Sequence, residues 1–190
     1  MLIRRYTCFP RATLTLGAFA ISTLQDQHIE PIRLWRNAQL DVLRQTVPLS
    51  PDEQARYYET SIWPTMSLAE PPNILLSFSE HDQPIGYGGL VHIAWNDRRA
   101  EVSFLLTPEY AAAPGEYANC FAAFLKLIKM LAFDDLRLQR LWTETFATRG
   151  DHVEILEANG FQLDGRLRGH VSVGGRRVDS LIHGCVAHER

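Results

Sequence analysis

Ile155-Leu156-Glu157-Ala158-Asn159-Gly160-Phe161, with Asp164-Gly165-Arg166-Leu167-Arg168 close behind, is the stretch on which the fold turns. Residues 151–158 read as a short helix, and Asn159-Gly160 as its stop, because glycine enters the left-handed conformation that ends helices. The C-terminal segment reads as a hairpin: a strand over 162–173, a Gly174-Gly175 turn, and a strand over 177–186. Upstream, 140–146 has strand character. Before it, Tyr117, Cys120, Phe121, Phe124, Ile128 and Leu131 recur at three- and four-residue steps, the signature of a helix with one buried face. Asp134-Asp135 ends that helix.

Further toward the N-terminus the pattern changes to period two. Segments 74–78, 85–95 and 101–107 read as strands, the last with Glu101, Ser103 and Leu105 opposite Val102, Phe104 and Leu106. Residues 65–73, with Pro71-Pro72, read as a loop, and 108–115 as a break. Ser50-Pro51-Asp52-Glu53 combines a serine cap, proline at the first helical position and glutamate three residues after the cap. Asp26 offers a cap for a helix carrying Ile29, Ile32 and Trp35, with Pro31 near its start. Residues 18–24 read as the first strand, and 1–17 as a loose tail. The order is strand, two helices, three strands, helix, strand, helix, two strands. It implies one α+β domain over 18–186, with a mixed, mostly antiparallel sheet flanked by helices.

Composition sets limits on function. In 190 residues, 46% hydrophobic and 22% charged, a core can form without metals or disulfides. The formal charge of −3 argues against nucleic acid as the main partner. Cys8, Cys120 and Cys185 are widely spaced and odd in number, so they read as reduced thiols. The seven histidines show no HxH or HExxH spacing, so no metal is expected. Ala18-Phe19-Ala20 imitates a signal-peptidase site, but Arg11 interrupts the run before it and Gly17 weakens it. With no membrane-length apolar run, a cytoplasmic location is expected. Gly86-Tyr87-Gly88-Gly89 lies within strand pattern and opens no helix, so it is not a dinucleotide loop. Trp63, Trp95 and Trp142 read as core or groove walls.

The element order resembles the GNAT acyltransferase fold over 18–186. Four stretches carry the likeness: Leu34-Trp35-Arg36-Asn37, Pro84 to Leu90, Arg99 to Leu106, and Ile155 to Arg168. The first-helix signature looks most like the branch of ribosomal-protein N-terminal and nucleotide-linked amino-sugar acetyltransferases. The resemblance implies transfer of an acetyl group from acetyl-coenzyme A to a primary amine. A nucleotide-linked amino sugar is the expected acceptor. A protein N-terminal amine or a small polyamine is the alternative, and a homodimer is left open.

The resemblance also assigns residues. Glu101 takes the place of a strand-borne base. His152 departs from the family, which often has serine there, and its imidazole suits it to protonate the departing thiolate or to contact the pantetheine arm. Backbone at Leu105, Leu106 and Thr107 would pair with the pantetheine arm. Ala112, Gly115 and Asn119 would frame the diphosphate, with Arg149 in the loop before the last helix. Trp35, Arg36 and Asn37 would face the acceptor. Two departures stand out. The loop usually rich in glycine reads Tyr110 to Asn119 with Gly115 its one glycine, and Leu156 replaces the usual tyrosine proton donor. Either a small-residue loop still presents its amides to phosphate, or coenzyme binding is lost and the chain is a non-catalytic binding module.

Overall fold

A computed structural model describes residues 3–189. Its frame is one eight-stranded sheet in the order β1-β2-β3-β4-β5-β6-β8-β7. The strands are β1 (Thr13–Leu16), β2 (Phe19–Thr23), β3 (Ile74–Glu80), β4 (Gln83–Ala94), β5 (Arg99–Leu106), β6 (Arg140–Phe146), β7 (Gln162–Val173) and β8 (Arg176–Val186). Every neighbouring pair is antiparallel except β5 and β6. Among the described residues, five α-helices accompany them: α1 (Ile29–Asn37), α2 (Pro51–Tyr57), α3 (Pro108–Ala111), α4 (Pro114–Lys129) and α5 (Gly150–Ala158). The expected α+β architecture is therefore present.

Helix α4 covers one sheet face. Its Cys120, Phe121, Phe124, Leu127 and Ile128 are fully buried, as their spacing requires. Phe104 of β5 stacks on Phe121 at 4.7 Å and meets Phe124 at 4.6 Å, while Phe78 of β3 lies edge-on to Phe124. The opposite face carries α1 and α2. Ser50 caps α2 with its hydroxyl on the Glu53 amide, and Glu53 returns a bond to the Ser50 amide, the box expected from sequence.

Three local readings change. Residues 13–16, taken for tail, add β1 to the sheet, and Tyr6 and Phe9 are buried; aromatic area that large is favoured against the core. Gln25, not Asp26, caps the first turn, its amide donating to His28 Nδ1. Asp26 is instead drawn to Arg4. The break after β5 contains a helical turn, α3, started by Pro108 with its fixed φ.

Gly89, inside β4, has φ of +141°, and a Cβ there would meet the Ile74 carbonyl oxygen at 2.0 Å. Neither strain nor clash can relax without moving β3. Gly89→Ala is expected to cost about 3 kcal/mol, read as a lower urea midpoint with unchanged slope; an unchanged midpoint would refute this reading of the position.

Candidate active site

The site begins where the one parallel pair fails. β5 and β6 run together through Arg99/Arg140, Ala100/Leu141 and Glu101/Trp142, then part. β5 follows β4 to Leu106, and β6 follows β8 to Phe146. Each strand thus keeps its outer partner and leaves its inner edge open. On the α4 face the gap widens into a cleft of about 660 Å³, lined by Phe104, Leu105, Leu106, Ala111, Pro114, Tyr117, Ala118, Arg149 and His152 among others. On the α1 face it continues into a smaller pocket of about 230 Å³ that holds Glu101, Glu144 and Arg44. Phe104, Arg149 and His152 line both, so the two open into one another through the sheet.

The larger cleft is suited to a long ligand with an anionic end. The first turn of a helix leaves amide hydrogens unspent and favours negative charge. Here the Tyr117 amide is used on the Ala113 carbonyl, and Pro114 has none, so the remaining donors are Gly115 and Glu116, which lie between the lining residues Pro114 and Tyr117 but do not themselves line the cleft. Nothing lies within 4 Å of a Cβ built at Gly115, so no atom crowds that turn. Segment 108–115 does not close the gap; Ala111 and Pro114 form its wall.

Strand geometry revises the backbone contacts. The Thr107 amide is spent on the Ile85 carbonyl, facing β4. Because successive residues point their backbone groups to alternate sides, Leu105 also faces β4, and Val102, Phe104 and Leu106 face the gap. Of the three residues expected to pair with a pantetheine arm, Leu106 alone offers its backbone there, and its carbonyl already accepts from Gln39 Nε2 at 2.8 Å. Ala112, Gly115 and Asn119 are exposed and outside the cleft lining, whereas Arg149 is part of it.

Arg149 is held at work. Its Nη2 donates to the Tyr117 hydroxyl at 2.8 Å, and that hydroxyl lies 2.5 Å from His152 Nδ1. Burial, then the Arg149 charge and nearby His183, holds the His152 imidazole well below its ordinary value. It is therefore neutral at neutral pH. Burial raises the Tyr117 hydroxyl, although Arg149 opposes this, so the phenol keeps its proton. Since Arg149 already donates to the phenol oxygen, the phenol donates onward to His152 Nδ1. His152 stacks on Phe121 at 4.2 Å, which fixes its ring.

On the other side, Glu101 is buried and doubly engaged. Oε1 accepts from Arg44 Nη2 at 2.9 Å, and Oε2 lies 2.8 Å from His92 Nδ1. His92 reaches it from a bulge in β4, where register shifts between Val91 and Ala94 and φ is +49°. Its ring is largely in solvent. Glu144 shares this sheet face, two residues beyond the Trp142 that pairs with Glu101. Of the first-helix signature, Arg36 alone lines a pocket, bonded to the Tyr87 hydroxyl and to Gln45. Trp35 packs against the core, and Asn37 pins the following loop through Leu49 and Gln45.

The acetyltransferase (GNAT) domain profile matches residues 21–182. The chain belongs to the GNAT acetyltransferase family. This GNAT protein therefore catalyses acetyl-coenzyme A-dependent transfer to a primary amine, and the module without catalysis is set aside. No curated protein gives a significant match. Among solved structures, the spermidine N-acetyltransferase of Vibrio cholerae in complex with CoA and spermine superposes with a TM-score of 0.79 at 18% identity, covering 92% of this chain and 98% of that one. Mutant forms of the Vibrio cholerae spermidine/spermine enzyme superpose at 0.76 and 17% identity, covering 91% and 96%. These similarities correct the branch expected from Trp35-Arg36-Asn37: both structures are spermidine acetyltransferases, so the ribosomal-protein and amino-sugar branch is not retained. The signature misled because its side chains serve the core and a loop anchor. No helix among the described residues is long and apolar enough to cross a membrane, and no cluster of metal-ligating side chains occurs among them.

Tyr117, Glu144, Arg44 and His92 escaped the sequence reading. Tyr117 was assigned to the buried stripe of α4, which it begins. Glu144 lay in a correctly placed strand, but its meeting with Glu101 depends on register across a parallel pair, which no local pattern encodes.

Proposed function

We propose that this GNAT protein acetylates a primary amine of a polyamine. The observation that carries the reading is the pair of carboxylates, Glu101 and Glu144, whose side chains are 8% and 10% exposed and which both bond to one cationic nitrogen. An acceptor that took the place of that nitrogen without a positive charge would leave two buried carboxylates unpaired, which is costly; a flexible cation with a primary ammonium satisfies both. The likeness to spermidine acetyltransferases agrees with this choice.

Catalysis needs an amine without its extra proton, a polarised thioester and a protonated leaving sulfur. Glu101 takes the ammonium proton, and His92, bonded to its other oxygen and open to solvent, carries that proton away. The free amine attacks through the gap in the sheet. On the far side Tyr117, its oxygen bonded by Arg149, gives its proton to the departing sulfur. That proton leaves with the thiol, and the phenolate, steadied by Arg149, takes its replacement from solvent. A neutral His152 holds Tyr117 in place and is not itself the acid. Acetyl-coenzyme A brings the activated acyl group; the first turn of α4, Arg149 and the open edge of β5 are the groups that would hold it.

Steady-state assays with spermidine, spermine, a monoamine of similar length and an amino sugar test the proposal. Spermidine or spermine is expected to give the highest kcat/KM. Glu144→Gln is expected to raise KM for spermidine about tenfold, as loss of one charge-assisted bond does. Preference for the monoamine or the amino sugar would overturn it.

A further inference from the structure

We propose that Arg44 is an internal occupant of the acceptor site, holding the place of the acceptor nitrogen until a cationic substrate displaces it. This rests on the polyamine reading for the substrate, though not for the geometry. A single atom, Arg44 Nη2, lies 2.9 Å from Glu101 Oε1 and 2.7 Å from Glu144 Oε2. One nitrogen between two carboxylates is the arrangement a primary ammonium would make. A guanidinium evolved only to lock the two carboxylates would more naturally present its planar fork.

Two further observations point to a site and not to a static brace. Glu144 is nine-tenths buried, yet its Oε1 has no hydrogen-bond partner among the described residues; His170 Nε2 comes no nearer than 3.8 Å. A buried carboxylate oxygen left unpaired is costly, and a donor that moved to meet it would relieve that cost. Arg44, in contrast, is about half exposed. It sits in a stretch, 43–50, that forms neither helix nor strand. The chain on both sides is anchored through side chains, by Gln39 Nε2 on the Leu106 carbonyl and by the Gln45 amide on Arg36 and Asn37. Displacement therefore needs only the side chain to swing into solvent, with no loop refolding.

The consequence is a tax on substrate affinity. When a site is filled by its own side chain for most of the time, the apparent dissociation constant rises by the reciprocal of the open fraction. A half-exposed ion pair contributes modestly, so the tax is small, about fivefold at most. It falls on every acceptor by the same factor, so it weakens binding without changing the order of preference among acceptors.

Arg44→Ala in the full chain tests this with two readouts. The KM for spermidine is expected to fall about fivefold, and methylguanidinium is expected to bind the variant by calorimetry and to compete with spermidine, while wild type ignores it. A spermidine KM that stays equal or rises overturns the proposal, as does methylguanidinium binding equally to both proteins or to neither. Should Arg44→Ala fail to fold, Arg44→Gln, which retains the stem and loses the charge, is measured in the same way. If wild type does not turn over spermidine, the polyamine reading falls alone, and the methylguanidinium titration still decides whether Arg44 fills the site.

Discussion

Glu101→Gln is expected to lower kcat about a thousandfold, in the range for loss of a general base, while acetyl-coenzyme A binding measured by calorimetry stays within about twofold of wild type. The amide keeps the volume and much of the hydrogen bonding of the carboxylate but cannot take a proton. Its position argues for a large effect: Oε1 faces the site where Arg44 Nη2 sits, and Oε2 faces His92, so one carboxylate spans the path from ammonium to solvent. A purely structural role for Glu101 predicts the opposite pattern, with lost stability and little change in kcat. An unchanged pH profile of kcat/KM in the folded variant would remove Glu101 from the chemistry.

Tyr117→Phe is expected to lower kcat about fiftyfold, within the range for a lost proton donor, with the KM for acetyl-coenzyme A altered far less. The phenyl ring preserves the contacts with Phe104 and Phe121, so packing survives. What disappears is the oxygen between Arg149 and His152. Should kcat remain within about twofold of wild type, the sulfur takes its proton from elsewhere. Donor analogues with a more acidic thiol would sharpen the comparison. A leaving group that needs no proton is expected to narrow the gap between variant and wild type.

The sequence carried the fold well where period and punctuation were strong. The α4 stripe, the Ser50 box, the 140–146 strand and the closing hairpin all stand where the pattern placed them, because each is set by neighbours within a few residues. The first strand was missed. Thr13-Leu14-Thr15-Leu16 alternates, but a four-residue strand takes its stability from pairing with β2, a contact invisible in its own letters. The site was half legible. Glu101 could be singled out through the family likeness, as the carboxylate on the strand beside the gap. Arg44 and Glu144 lie 100 residues apart and meet only because β6 is set parallel to β5. The glycine-poor loop looked like a defect, yet the next helix begins at Pro114 and leaves its first amides open whether or not glycine precedes them. The absent tyrosine of the last helix likewise looked like a loss of chemistry, while a phenol reaches the same cleft from α4.

The parting of β5 from β6 has a consequence for traffic. A slot cut through a sheet has a mouth on each face, so two reactants can arrive from opposite directions and neither obstructs the other's exit. Such an arrangement has no need to park the acetyl group on a side chain between visits. It asks only that both guests be present together, and it lets the spent carrier leave by the door it came in while the modified amine goes out by the other.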